Sequence, residues 1–252
     1  MMKRLSALVA ISLLSTSAFA ADGDWSGWYV GGGFGKTDGN SDTNVALGGA
    51  WSTETQALRD HVVAQMSNDI DPDGYAYDLH FGYDHQFDGG FVLGGEFDYS
   101  KLNLDASEQI GPVPTVPFPS LSYTTRNDIE ADHSLSLRAK AGFATGRHLF
   151  YATAGLARVD VNASASITSN GNYRKLGQRS ETLDGTQYGL GYEFSLNDNW
   201  SARFEYLRTN LDEMNYDTVY LPGSAFVTPA YTERVNQDLD YDTIRLGVNY
   251  RF

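Results

Sequence analysis

Tyr75-Ala76-Tyr77-Asp78-Leu79-His80-Phe81-Gly82-Tyr83-Asp84 is the stretch from which the fold follows. Odd positions carry large apolar side chains and even positions carry Ala, Gly, Asp and His, the period-2 pattern of a strand with two unlike faces. The C-terminal run repeats it: Ile244, Leu246, Val248, Tyr250 and Phe252 oppose Thr243, Arg245, Gly247, Asn249 and Arg251. Besides these two, the same alternation predicts strands at about 27–37, 91–103, 132–144, 149–160, 185–196 and 200–211, making eight. Leu93, Phe97 and Tyr99 oppose Glu96 and Asp98; Tyr188, Leu190, Tyr192 and Phe194 oppose Gln187, Gly189, Gly191 and Glu193. The fifth segment, with Phe150 and Leu156 opposite Leu149, Tyr151 and Val159, leaves its faces unassigned.

These faces are reversed relative to a water-soluble sheet. There the large apolar face fills the core and the charged face meets water, but Gly, Ser and charge cannot fill an apolar core. Turning the Gly/charge face into a closed barrel and the aromatic face toward lipid satisfies both, and closure leaves no unpaired backbone edge in the hydrocarbon. Segments of about 10 to 13 residues suit tilted membrane-crossing strands. The connections alternate strictly. Short ones fall at Asp88-Gly89-Gly90, Thr145 to His148 and Asn197-Asp198-Asn199, and long ones at about 38–74, 104–131, 161–184 and 212–238. All seven prolines fall in the long connections, as expected of a residue that cannot donate to a central ladder. The expected fold is all-β: an eight-stranded antiparallel transmembrane up-and-down β-barrel with four long external loops.

Composition narrows the function. Lys+Arg 18 against Asp+Glu 32 gives −14 over 252 residues, which argues against a nucleic-acid partner and its basic face. The absence of Cys removes disulfides, thiolate metal sites and cysteine nucleophiles. Residues 1–20, with Lys3, Arg4, an apolar run from Leu5 and the close Ala18-Phe19-Ala20, have the pattern of a secretory signal peptide. That leaves 21–252 for the barrel. Removing Lys3 and Arg4 leaves 16 basic residues against 32 acidic, a charge of −16. The four long connections carry −6, −3, +1 and −4, hence −12 of it. Solvation of the loops is the plain reading; the sharper one is an external cationic ligand, or divalent ions bridging lipopolysaccharide.

The stretches WSGWYVGGGFG (25–35), LGGEFDYS (93–100), LRAKAGFA (137–144), LFYATAGLA (149–157), RFEYLRT (203–209) and IRLGVNYRF (244–252) resemble the small opacity-type, OmpA-like outer-membrane barrel proteins, the porin-family proteins of alphaproteobacteria. The resemblance runs over nearly the whole of 21–252 and includes nothing like the peptidoglycan-binding domain of full-length OmpA. It implies residence in the cell outer membrane, with lipid, lipopolysaccharide and the outer-membrane assembly machinery as partners. It also implies that Val248, Tyr250 and Phe252 form the assembly signal.

Strand depth brings Glu96 and Asp98 level with Arg138 and Lys140, sets Glu193 against Arg203 and Glu205 against Arg245, and adds Asp78, His80 and Asp84 to the acidic side. Asp78, Asp84, Glu96, Asp98, Glu193 and Glu205 balance Arg138, Lys140, Arg158, Arg203, Arg245 and Arg251. Paired charges fit a filled interior better than a selective channel. The expected role is therefore structural, in envelope integrity and surface interaction; the alternative is a narrow small-solute porin. No enzyme activity, cofactor or metal site is expected. GGGFGKT (31–37) lacks the spacing and following helix of a phosphate loop, and Asp69, Asp71, Asp73 and Gly74 begin a calcium-loop pattern that ends on His80 instead of a Glu. His133 and Ser134, as strand neighbours, face opposite sides and cannot form a dyad. Haem ligation by the loop residue His61 is weighed and not expected.

Overall fold

The computed structural model describes residues 24–252 apart from Pro117. The expected signal peptide at 1–20 lies outside these residues. The elements are β1 (Gly27–Gly49), a 3-10 turn (Ala50–Thr53), α1 (Gln56–Met66), β2 (Asp69–Ile70), β3 (Asp73–Gln86), β4 (Phe91–Pro114), β5 (Ser122–Thr145), β6 (His148–Ser169), β7 (Arg174–Ser195), β8 (Trp200–Leu211), β9 (Met214–Asp217), β10 (Val219–Tyr220), β11 (Tyr231–Gln237) and β12 (Asp240–Arg251). Eight of the strands form an antiparallel ring in the order β12-β8-β7-β6-β5-β4-β3-β1. β1 closes it by pairing back on β12, from Tyr29 opposite Arg251 to Asn40 opposite Asp240. No helix among the described residues is long and apolar enough to cross a membrane; the crossing is made by strands.

In the lower half of the ring the alternation sends bulk outward. Leu79, Leu137, Leu156, Leu190 and Leu246 are 64 to 69% exposed, and Trp28, Phe81, Phe97 and Phe143 stand on the same belt. So continuous an apolar surface requires lipid against it. The fifth segment, unassigned from sequence, resolves here: Phe150 and Leu156 face out, while Leu149 and Tyr151 are buried inside.

The long external loops expected at 104–131 and 161–184 are mostly strand. β4 and β5 run 24 residues each and β6 and β7 run 22, about twice the 9–11 that cross a bilayer. Above the membrane the faces exchange character. Leu104, Ile129, Val159, Val161 and Ile167 turn inward and are buried, while ion pairs such as Arg126–Asp128, Arg158–Asp184 and Arg179–Glu181 cover the outside. The reason is the solvent: a wall leaving hydrocarbon for water must put its charges out and its apolar side chains in. Each fully buried aliphatic contributes about 1.5–3 kcal/mol to this upper core. We refer to this projecting part as the crown.

In β5 the exchange is aided by a β-bulge. Pairing with both neighbours shifts register near Asp132–His133, so inward positions change from Ser134, Ser136, Arg138 and Lys140 below to Ala131, Ile129, Asn127 and Thr125 above. One extra residue reverses the parity of a strand.

The first and fourth connections complete the crown. α1 begins at Thr55, whose hydroxyl accepts from Leu58 N, and buries Leu58, Val62 and Met66 at i, i+4 and i+8. Its C-terminal end rests on β5, with Thr125 Oγ1 donating to Gln65 O (2.8 Å) and Asn127 Nδ2 to Met66 O (3.0 Å). From the fourth connection, β11 pairs with the upper half of β1, β9 with β11, and β10 with β7. A small apolar cluster of Trp25, Val92, Ala144, Leu149 and Tyr151 closes the opposite end.

Candidate functional site

The interior of the lower ring is the first candidate. All twelve side chains singled out in the sequence are buried: Asp78, His80, Asp84, Glu96, Asp98, Arg138, Lys140, Glu193, Arg203, Glu205, Arg245 and Arg251. They form two tiers. In the upper tier Glu96 accepts from Arg203 Nη1 and Nη2 (2.7 and 2.8 Å), from Tyr29 OH (2.8 Å) and from Arg138. Glu205 accepts from Arg203 Nη2 (2.5 Å), Arg245 Nε (2.8 Å) and Tyr151 OH (2.8 Å). Arg245 also lies 2.7 Å from Asp98 and 3.3 Å from Asp78. In the lower tier Lys140 Nζ bridges Asp84 (3.1 Å) and Glu193 (2.9 Å), and Arg251 joins Asp84 at 3.0 Å.

Two details differ from the expected pairing. Glu193 stands opposite Arg203 in the register, yet its carboxylate takes Lys140, Asn249 Nδ2 and Ser201 Oγ. Arg203 turns instead to Glu205, two residues along its own face, and to Glu96 from β4. An eight-stranded barrel is narrow enough for side chains of non-neighbouring strands to meet, so register alone does not fix partners. Arg158, counted inside, is outside: its side chain is 68% exposed and pairs with Asp184 at 2.6 Å. The parity of β6 puts it on the face of Phe150 and Leu156.

Removing Arg158 leaves six carboxylates facing five Arg and Lys, with His80 placed among them. Its Nδ1 lies 2.7 Å from Asp78 and its Nε2 lies 2.6 Å from Asn249 Oδ1. Asn249 Nδ2 donates to Glu193, which turns Oδ1 toward the ring. Both imidazole nitrogens therefore lie against side-chain oxygens of other interior residues. Asp78, His80 and Asp98 converge closely enough to ligate a metal ion, but the Arg245 guanidinium occupies the position of the cation.

Tyr29 and Tyr151 were missed from sequence because their aromatic character matches the lipid face. Parity is the signal that identifies them: Tyr29 shares the face of Gly31 and Gly33, and Tyr151 that of Thr153. Room for their rings comes from glycine. A Cβ on Gly82 would overlap the Tyr29 ring, and one on Gly191 the Tyr151 ring. Lys140 Nζ sits 4.7 Å above Tyr29 and 4.5 Å above Tyr151, so each phenol packs against one charge and hydrogen-bonds another.

A second buried charge lies in the crown, where loop solvent was expected. Glu233 is wholly buried and accepts from Trp51 Nε1 (2.6 Å), Tyr173 OH (2.5 Å), Lys175 Nζ (2.5 Å) and Thr218 Oγ1. Glu233 and Lys175, counted as loop charges, thus form an internal pair. The alternation Glu233, Val235, Gln237 against Arg234 and Asn236 marks the strand that carries it.

Of the proposed assembly residues, Val248 is 47% and Phe252 73% exposed on the lipid belt; Tyr250 stacks edge-on against Trp200 and Phe252. His133 accepts from or donates to Tyr99 OH at 3.0 Å on the outer face.

A closed antiparallel ring with a lipid-type belt outside and paired charges inside defines a transmembrane β-barrel of the outer-membrane class. The outer membrane protein beta-barrel domain family matches residues 6–252, and the chain belongs to that family. The 31 kDa outer-membrane immunogenic protein of Brucella melitensis is 26% identical over 187 residues, which cover 74% of this chain and 70% of that protein. The 25 kDa outer-membrane immunogenic protein of Brucella canis is 30% identical over 117 residues, 46% of this chain and 45% of that one. Among solved structures, the outer membrane protease OmpT of Escherichia coli aligns with a TM-score of 0.50 at 8% identity, covering 90% of this chain and 97% of its own; the likeness is one of fold alone. The protein is an outer-membrane barrel of a Gram-negative envelope.

Proposed function

We propose that the protein is a closed barrel that reinforces the outer membrane and holds a rigid crown outside it for surface contacts, without catalysis of its own. The observation that carries this reading is the filled interior: two tiers of paired charge below and an aliphatic core above. Buried ion pairs are strongly destabilised when one member is removed, so opening a path along the axis would cost more than a loop displacement. The outer-membrane immunogenic relatives support surface presentation. In this reading 1–20 is removed on export, Val248, Tyr250 and Phe252 are read by the assembly machinery, and lipid and lipopolysaccharide contact the belt. The test is electrical. Purified barrel in a planar bilayer at neutral pH should give no stable conductance; a large stable conductance would establish the narrow porin instead. A deletion strain should show a detergent-sensitive envelope.

A further inference from the structure

The crown contains a pocket of about 170 Å³, several times the ~30 Å³ share of one liquid water. Four aromatic rings wall it: Trp51, Tyr123, Tyr173 and Tyr231. They meet nearly at right angles. Trp51 makes 81° with Tyr173 and 80° with Tyr231, with centroids 6.0 and 4.9 Å apart, and Tyr173 makes 86° with Tyr123 and 75° with Tyr231. Phe118 and Phe226, also in the lining, are 47 and 58% exposed. Glu54 is the one carboxylate in the lining.

Two phenols of this box donate to carboxylates. Tyr231 OH donates to Glu54 Oε1 at 2.6 Å, and Tyr173 OH donates to Glu233. A phenol that donates to a carboxylate has a more electron-rich ring, which deepens the negative potential of its face. Burial, then the charges of Glu54 and Glu233, push the Tyr123 phenol up to about 12. Lys175, the cation beside the box, is already engaged by Glu233, by Tyr231 O (2.7 Å) and by the Tyr220 ring (4.7 Å). The four long connections that build the crown carry −12 in total, which draws cations toward its mouth.

We propose that this aromatic box binds a quaternary ammonium group, with Glu54 as counter-ion. A primary ammonium brings three N–H donors that need acceptors, and the lining supplies mostly aromatic and aliphatic side chains. A quaternary ammonium has no donors to satisfy and is stabilised by ring faces together with a carboxylate, the arrangement that recognises choline-type cations elsewhere. The head group can arrive as free choline or on a phosphocholine lipid. The proposal rests on the external placement of the crown adopted above, but a conducting barrel would carry the same pocket, so the two tests fail separately.

The experiment is calorimetric titration of the folded barrel in a maltoside detergent, which lacks the head group, with choline, tetramethylammonium and the neutral isostere 3,3-dimethylbutan-1-ol. Choline and tetramethylammonium should bind, the isostere about tenfold more weakly or not at all, and Glu54→Gln should weaken choline by about tenfold, the equivalent of ~1.4 kcal/mol. Equal binding of the isostere, an unchanged affinity in Glu54→Gln, or no heat with either cation overturns the proposal. The isostere comparison uses the unmodified protein, so it stands even if the variant does not fold. Co-sedimentation with phosphatidylcholine but not phosphatidylglycerol vesicles identifies the lipid-borne source; choline binding without co-sedimentation identifies the free one.

Discussion

Tyr151 shows how much a single interior residue carries. Its hydroxyl holds Glu205, its ring lies under Lys140, and Gly191 yields the space. Tyr151→Phe keeps the ring and removes the bond to a charged, buried acceptor, a loss of about 1.5–3 kcal/mol, visible as a lower urea midpoint of the refolded barrel. Gly191→Ala keeps every hydrogen bond but forces a Cβ into that ring. It should destabilise at least as much and shift the Trp25 environment next to Tyr151, read by fluorescence. A neutral outcome for Gly191→Ala would mean that the ring does not sit where the structure puts it. The twelve charged and histidine positions were legible from sequence because depth and parity follow from turn positions. Their partners were legible in part: Glu96 meets Arg138 and Glu205 meets Arg245 as depth suggests, but Arg203 turns from Glu193 to Glu96 through space across a narrow interior.

Elements decide the crown. The alternation that announces a membrane strand stops near residue 132 in β5 because the bulge at Asp132–His133 breaks its parity, and near 160 in β6 because apolar and polar faces exchange roles there. Sequence reading therefore assigns loops where strands continue. Deleting His133 leaves one residue, Asp132, between the inward-facing Ala131 and Ser134, so the strand runs without a bulge and Ile129 and Ala131 stay inward. The expected result is a protease-resistant crown on a barrel that still migrates in the heat-modifiable folded form; a protease-sensitive crown would show that the bulge itself is needed. In α1, Met66→Ala removes a fully buried side chain and should cost about 2–5 kcal/mol. Faster amide exchange in α1 than in β8 would locate the loss in the crown.

At the scale of the whole molecule, the crown predicts resistance where loops predict cleavage. Arg126, Arg174 and Arg179 lie in β5 and β7 with their backbones paired to β6, so trypsin added to intact cells should leave the chain uncut there. Cleavage at these sites would favour the mobile loops that composition alone suggests. The acidity of the barrel residues also acquires a location: most of it covers the outside of the crown, and one carboxylate, Glu54, reaches into an aromatic pocket.

Sequence alone encodes the eight-fold alternation, the lipid belt, the charged inner face and the three tight turns, because each is local: side-chain parity has a period of two, and turns have their own residues. Packing in three dimensions settles how far the walls rise beyond the membrane, which charges meet across the barrel, that Arg158 faces out while Glu233 and Lys175 face in, and that four aromatic residues from distant segments form a box. These depend on which solvent surrounds each height of the wall and on contacts across the barrel, and neither is encoded by spacing along the chain.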